Sequence, residues 1–259
     1  MLKKFFKNLK SIGLKKTIIK SINYLSFKSY KRRKLKKKIF SIESIEGRFN
    51  EIYQNNFWLG ESRSGTGSTL DGTKNIRHHL PKLLEEFKIT KLLDAPCGDF
   101  NWMSHVLKKK DINYLGADIV EDLIFKNKQK YENDKIKFTK LDIRLDELPD
   151  SDLMICRDCL FHFSYKDISQ FFKNFLSSKI DYLLLTSHLN DKPKFKNEDI
   201  VTGGFRLIDF FSEPFNFDKN YLFQFDDRES ENQNFKQMYL FSKSQIKDNL
   251  DKNCEKIFS

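Results

Sequence analysis

Strand-ending acids and one histidine carry most of the chemical content of this 259-residue sequence. The run Lys91-Leu-Leu-Asp94-Ala-Pro-Cys97-Gly98-Asp99 is a short apolar stretch, of the kind a buried parallel strand requires, halted by a turn of small residues. Trp102, Val106 and Leu107 follow at helical spacing. The reading is strand, turn, helix, with backbone N–H groups of the turn free to meet a ligand. A second apolar run ends in Asp118, 24 residues after Asp94. That is close to the ~20-residue offset at which an acid on the second strand of a nucleotide-binding βαβ unit takes ribose hydroxyls. Pro96 and Phe100 stand where a dinucleotide fingerprint has its first and last glycines, leaving Gly98 alone. Phe100 disfavours close passage of a pyrophosphate, so the expected ligand has a ribose and no phosphate there, provided Phe100 does not block the cleft. Farther on, Arg157-Asp158-Cys-Leu-Phe-His162 sets an acid and a histidine four residues apart. On a helical turn they share a face, Asp158 orienting His162 or binding substrate while His162 accepts a hydroxyl proton. The alternative is a structural His162 packed between Phe161 and Phe163 and capping the next helix.

These groups need a scaffold, and the pattern around them supplies one. After the strands ending at Asp94 and Asp118, further strands are expected over 137–143, 153–156 and 182–187, with helices over 69–87, 101–110, 121–131 and 165–176. Strands alternating with helices give an α/β, doubly wound, mostly parallel sheet covered on both faces. Two last strands, 221–225 and 237–241, have no helix between them. In such a sheet ligands bind outside the carboxyl ends of the strands, and the conspicuous polar residues fall there: Asp94, Asp118, Asp142, Arg157 and Asp158, then His188. The Gly- and Ser-rich stretch Trp58–Ser68 is a loop, read as folding over the ligand because a mere linker has no need of Trp58 or Arg63. A second Gly-rich loop, Thr202–Arg206, offers Arg206 as a clamp for a phosphate or carboxylate, with Lys192 and Lys194 adding slight support.

Net charge is +11, but residues 1–40 hold fifteen Lys or Arg and no acid, so the remainder is mildly acidic. Leu2, Phe5, Phe6, Leu9, Ile12, Ile19, Ile22 and Leu25 fall roughly on one helical face of this arm. It could lie on an anionic membrane surface, stay solvated or bind a partner, or, with least support, hold nucleic acid. No stretch reaches the ~20 apolar residues of a membrane span. Cys97, Cys156, Cys159 and Cys254 occur without an export signal, which suggests a reducing, cytoplasmic setting, membrane-peripheral if the arm binds lipid. Cys156-x-x-Cys159 lacks the second pair of a zinc site, so the cysteines are read as incidental and no metal is expected.

Asp94-x-x-Cys97-Gly98-Asp99, then Gly116-Ala117-Asp118, then Leu141-Asp142-Ile143, resembles the motif series of class I S-adenosylmethionine-dependent methyltransferases. The resemblance spans about positions 55–242. It implies a seven-stranded Rossmann-like sheet with an antiparallel C-terminal pair, and S-adenosylmethionine as cofactor. Asp118 would take the ribose hydroxyls, Asp142 the adenine amino group, and Gly98 would let the backbone approach. Arg63 would meet the methionyl carboxylate and Trp58 would stack or shield; Asp94, Cys97, Trp102, Ile119, Ile143 and Arg157 complete the implied cofactor surface. His162 and Asp158 become candidate catalytic residues, His188 and Arg206 candidate substrate contacts. Glu61-Ser-Arg-Ser-Gly-Thr-Gly-Ser68 is similar to a stretch in one bacterial or viral subgroup linked to small molecules or polysaccharides. The Asn/Asp-Pro-Pro-aromatic motif of the family's nucleic-acid amino methyltransferases is absent, so nucleic acid is disfavoured as partner. The expectation is O-methylation of a small anionic or sugar-type acceptor by a domain over 46–245, with an arm over 1–45 and a tail over 246–259. The alternatives are RNA methylation and an inactive membrane- or nucleic-acid-bound scaffold of the same fold.

Overall fold

The structure, a computed structural model, describes residues 29–59, 62–108, 110–190, 195–228 and 235–253. It divides into two units, one ending at Ser44 and one beginning at Ile45. In the first, residues 29–41 are helical. The periodic apolar segment 1–27, Lys192, Lys194 and Cys254 lie outside the described residues.

The second unit is built on seven strands: β1 (Lys91–Asp94), β2 (Asn113–Asp118), β3 (Ile136–Lys140), β4 (Leu153–Cys156), β5 (Tyr182–His188), β6 (Phe223–Asp226) and β7 (Lys236–Ser242). Their order is β3-β2-β1-β4-β5-β7-β6. The first five run parallel, and β7 lies antiparallel between β5 and β6. The mostly parallel sheet is therefore as the sequence pattern implied, and the antiparallel terminal pair as the resemblance implied.

Neighbouring residues of the central strands face opposite cores, which is why those strands read as unbroken apolar runs. Leu93, Met154 and Leu183 pack with α5 (Tyr165–Ser177) and α6 (Lys243–Asn253); Leu92, Leu153 and Leu184 pack with α2 (Lys74–Glu86), α3 (Met103–Leu107) and α4 (Glu121–Tyr131). In α5, Phe171, Phe172 and Phe175 are wholly buried, each stabilising the fold by roughly 1.5–3 kcal/mol. Ser164 caps that helix, its hydroxyl oxygen accepting from the Asp167 N–H. Gly116 is required by packing: a Cβ there would stand 2.7 Å from Phe138 and 2.9 Å from the Tyr114 hydroxyl.

Several elements differ from the sequence expectation. The helix expected from residue 69 begins at Lys74, because Thr69 and Thr73 turn their hydroxyls onto local carbonyls, those of Thr66 and Thr69, and hold a turn instead. The helix expected over 101–110 is only Met103–Leu107. A helix, α1 (Ile45–Gln54), was not anticipated, and residues 246–259 open inside α6, whose Ile246 and Leu250 are buried in the core. Phe100 is not at the cleft. It is 1% exposed and packs within 5.1 Å, centroid to centroid, of Tyr114, Tyr131 and Phe138.

Candidate active site

The strand order reverses between β1 and β4, and a cleft of about 980 Å³, its open mouth included, lies outside their carboxyl ends. Its floor is the turn after β1. The Ala95 N–H donates to the Ile155 carbonyl at 3.0 Å and the Cys97 N–H to that of Ala117 at 2.8 Å, tying the turn to both neighbouring strands. Gly98 sits at φ +54°, and a Cβ on it would fall 2.7 Å from the Ser64 hydroxyl. Only glycine fits both the backbone and the space. The Asn127 side chain donates to the Gly98 carbonyl at 2.8 Å from helix α4.

Asp94, Asp118 and Asp142 all line this cleft. Asp94 is buried and accepts from the Tyr114 hydroxyl at 2.8 Å; burial pushes its carboxyl up to about 7, with the Tyr114 bond and Arg157 pulling the other way. Burial likewise pushes Asp118 up to about 6, opposed by the N–H groups of Val120 at 3.0 Å and Gly98 at 3.3 Å. Among the described residues no cation is paired with Asp118. Asp142 differs: it grips Arg144 through Nε at 2.9 Å and Nη2 at 2.5 Å, and Arg144 reaches on to Asp167. Ile119 and Ile143 stand beside these acids as apolar wall.

The Gly- and Ser-rich loop forms a built side of the cleft. Asp99 N–H donates to the Ser64 hydroxyl at 3.1 Å, Asn101 reaches the Ser68 carbonyl at 3.3 Å, and Arg157 Nη1 holds the Gly67 carbonyl at 2.8 Å. Trp58 stacks on His162, centroids 4.9 Å apart and planes 24° apart, and Arg63 lies over the Tyr53 ring at 5.6 Å. Phe49 and Tyr53, one turn apart on α1, complete the wall.

Beyond Arg157 on the cleft wall, Asp158 and His162 do not form a pair. Leu160–His162 is a tight 3₁₀ turn and Asp158 has φ +52°, so no α-helical face is shared. The Asp158 carboxylate is instead held by Lys236 at 3.0 and 3.1 Å and by Arg157 at 3.2 Å. Burial works to raise it, but these two cations outweigh burial and keep it well below the usual carboxylate range. Fully buried Asp227 closes the network, 2.8 Å from Arg157 Nε and 3.3 Å from Lys236. His162 Nδ1 lies 2.6 Å from the Gly204 carbonyl. A carbonyl only accepts, so the proton is assigned to Nδ1 and Nε2 carries the lone pair. Burial pushes this imidazole down to about 4.

Two expected substrate contacts are placed elsewhere. His188 is buried behind Phe161, its Nδ1 accepting from the Ile208 N–H, and burial pushes it down to about 4. Arg206 is buried with Nη1 on the Phe163 carbonyl at 2.6 Å and its guanidinium over Tyr165. Neither lines the cleft. His188 packs against the Phe161 ring and Arg206 bonds the Phe163 carbonyl, so each meets the segment 161–163 instead. Sequence reasoning missed Lys236, Asp227 and Asn127. Lys236 has no local signal; it meets the site because β7 pairs with β5 in the register His188↔Lys236. Phe49 and Tyr53 did carry one, an apolar period of four with Ile45 and Ile52. Cys97, Cys156 and Cys159 are buried free thiols, and no group of metal-binding side chains occurs among the described residues.

No family model and no curated protein sequence matches the chain. Among solved structures it is similar to a SAM-dependent methyltransferase from Leishmania major, with TM-score 0.57 and 12% identity over 76% of this chain and 83% of that one. Burkholderia thailandensis 1,6-didemethyltoxoflavin-N1-methyltransferase, solved with S-adenosylhomocysteine, gives 0.49 at 12% identity over 64% and 77%. Human N-acetylserotonin methyltransferase, in complex with SAM, gives 0.48 at 12% over 75% of this chain, which spans 55% of that longer protein. The fold is the Rossmann-like one of SAM-dependent methyltransferases.

Proposed function

We propose that the protein transfers a methyl group from S-adenosylmethionine to a hydroxyl of a small, sugar-type acceptor. The observation that carries the first half is Asp118: a carboxylate lining the cleft with no cationic partner among the described residues, beside a glycine turn that nothing larger can occupy. Ribose hydroxyls suit such a group, because each donates to an oxygen that must otherwise hold its charge against burial. The residues present therefore fit the cofactor. Asp118 would hold the ribose, Ile119 and Ile143 would flank the adenine with Asp142 near its amino group, and Arg63 would meet the carboxylate. When bound, the cofactor supplies an electrophilic methyl for in-line displacement.

The acceptor end supports the second half. Arg157 is the other cationic residue lining the cleft, and it is committed to Asp227, Asp158 and the Gly67 carbonyl. With Arg63 assigned to the cofactor, no further cation lines the cleft among the described residues, so we favour a neutral hydroxyl over a phosphate. Asp158 and the His162 Nε2 both accept hydrogen bonds, and Trp58, Phe49 and Phe163 offer apolar surface. Donating hydroxyls beside an aromatic wall describe a sugar ring. A base near 4 is too weak to remove an alcohol proton beforehand; His162 orients the hydroxyl and receives the proton as the new C–O bond makes that oxygen acidic.

The test is S-adenosylhomocysteine release with nucleotide sugars as acceptors. Turnover with a sugar that vanishes for the deoxy sugar lacking the methylated hydroxyl supports the proposal. Turnover only with amines, or with phosphates lacking a sugar hydroxyl, overturns it.

A further inference from the structure

Arg206 closes the second Gly-rich loop and is only 8% exposed. Its backbone N–H donates to the Phe161 carbonyl at 3.2 Å and its Nη1 to the Phe163 carbonyl at 2.6 Å. Nε and Nη2 are buried with no hydrogen-bond partner, and so is the hydroxyl of Tyr165, whose ring centre lies 5.3 Å from the guanidinium carbon. Burial works against the Arg206 charge more than Tyr165 and Asp199 support it. Asp199 spends Oδ1 on the N–H groups of Tyr165 at 2.7 Å and Ile200 at 2.8 Å, and meets neither open nitrogen. A guanidinium taken out of water is costly unless an opposite charge faces it. Water accepts its hydrogens but leaves that charge unbalanced.

The two open nitrogens are also a matched pair. With Nη1 spent, the Nε and Nη2 hydrogens point the same way in the guanidinium plane, the edge that takes two oxygens of one carboxylate or phosphate. The Tyr165 hydroxyl is a further donor. Val201 and Phe205, on either side of Thr202-Gly203-Gly204, are exposed, so the pair lies close beneath the surface and a shift of this loop admits a small ion.

We propose that Arg206 and Tyr165 form an oxyanion site, apart from the cleft, for the carboxylate or phosphate group of a small ligand. Because Arg206 also holds the carbonyls of Phe161 and Phe163, an occupied site braces the segment that carries His162. The site does not depend on the methyl-transfer reading.

The experiment is thermal unfolding of the full chain in rising sodium phosphate and, separately, sodium acetate, with ionic strength held constant by sodium chloride. The native melting temperature should rise and saturate as one site fills with at least one of these anions. Arg206→Met should bind that anion about tenfold or more weakly, and Tyr165→Phe, which keeps the ring against the guanidinium, about tenfold. A stronger response to phosphate marks a phosphate ligand, a stronger response to acetate a carboxylate. Tyr165→Phe carries the comparison if Arg206→Met does not fold. No saturable rise with either anion, or the native rise retained in the variants, overturns the proposal.

Discussion

Replacing Asp118 by Asn should stabilise the cofactor-free protein at pH 8 while crippling its ligand. Burial raises this carboxyl from 3.8 to about 6. A folded-state pKa above the unfolded value means that the native state binds more protons between those pH values. The associated stability is fully present below about 3.8 and is lost as pH rises through 6. At 1.36 kcal/mol per unit, the ionised side chain costs the fold at most about 3 kcal/mol at pH 8, and about 2 once its partial exposure to water is allowed for. The Asn variant escapes that cost. Its carbonyl still accepts from Val120, but its amide faces the Gly98 N–H, losing a long 3.3 Å bond worth about 0.5–1 kcal/mol. The net expectation is a gain of about 1–2 kcal/mol at pH 8, or a few degrees in melting temperature for a domain of this size. Asp94, which feels the Asp118 charge, shifts the balance in the same direction. Urea unfolding of both proteins without ligand at pH 8 and pH 4.5 measures it. The advantage of the variant should shrink toward zero at pH 4.5. A variant less stable than native at pH 8, or a difference that ignores pH, would refute the assigned burial of this carboxylate.

Other expectations follow from single contacts. Gly98→Ala places a Cβ 2.7 Å from the Ser64 hydroxyl at a positive φ, so a loss of about 1–3 kcal/mol and failure to bind S-adenosylhomocysteine are expected from denaturation and calorimetry. Lys236→Met leaves Arg157 as the one cation facing both buried Asp227 and Asp158, and should cost about 3–5 kcal/mol in thermal unfolding. His162→Ala should lower kcat by about 10²-fold or more while native kcat stays flat from pH 6 to 9 and falls only toward pH 4, where the ring gains a proton; a native profile with a midpoint near 6.5 would contradict the buried, neutral imidazole.

Much of this fold was readable because its information is local. Strands 153–156 and 182–187, and the helix at 121–131, declare themselves through apolar runs and periods that need no partner, and the structure has Leu153–Cys156, Tyr182–His188 and Glu121–Tyr131. The acids at strand ends were legible for the same reason, since a parallel sheet puts every such end on one edge. What could not be read depends on distant pairing. Asp158 and His162 are four apart in sequence, yet Asp158 answers to a lysine 78 residues away. Arg206 looked like a loop arginine beside glycines, but the short connections Gly203 N–H to His162 and Arg206 N–H to Phe161 turn the loop inward and bury it. Phe100 looked like an obstruction at the glycine turn; its left-handed φ of +56° directs it into the core.

The central claim is that the carboxylate at Asp118 receives a nucleoside. Titration calorimetry with S-adenosylhomocysteine on native protein and Asp118→Asn, from pH 5 to 8, tests it most directly. The account predicts one site on the native protein, affinity falling about tenfold per unit below pH 6 as the carboxylate takes up its proton, and binding at least 30-fold weaker in the variant at pH 8. Equal affinity for the two proteins at pH 8, with no fall toward pH 5, would contradict it.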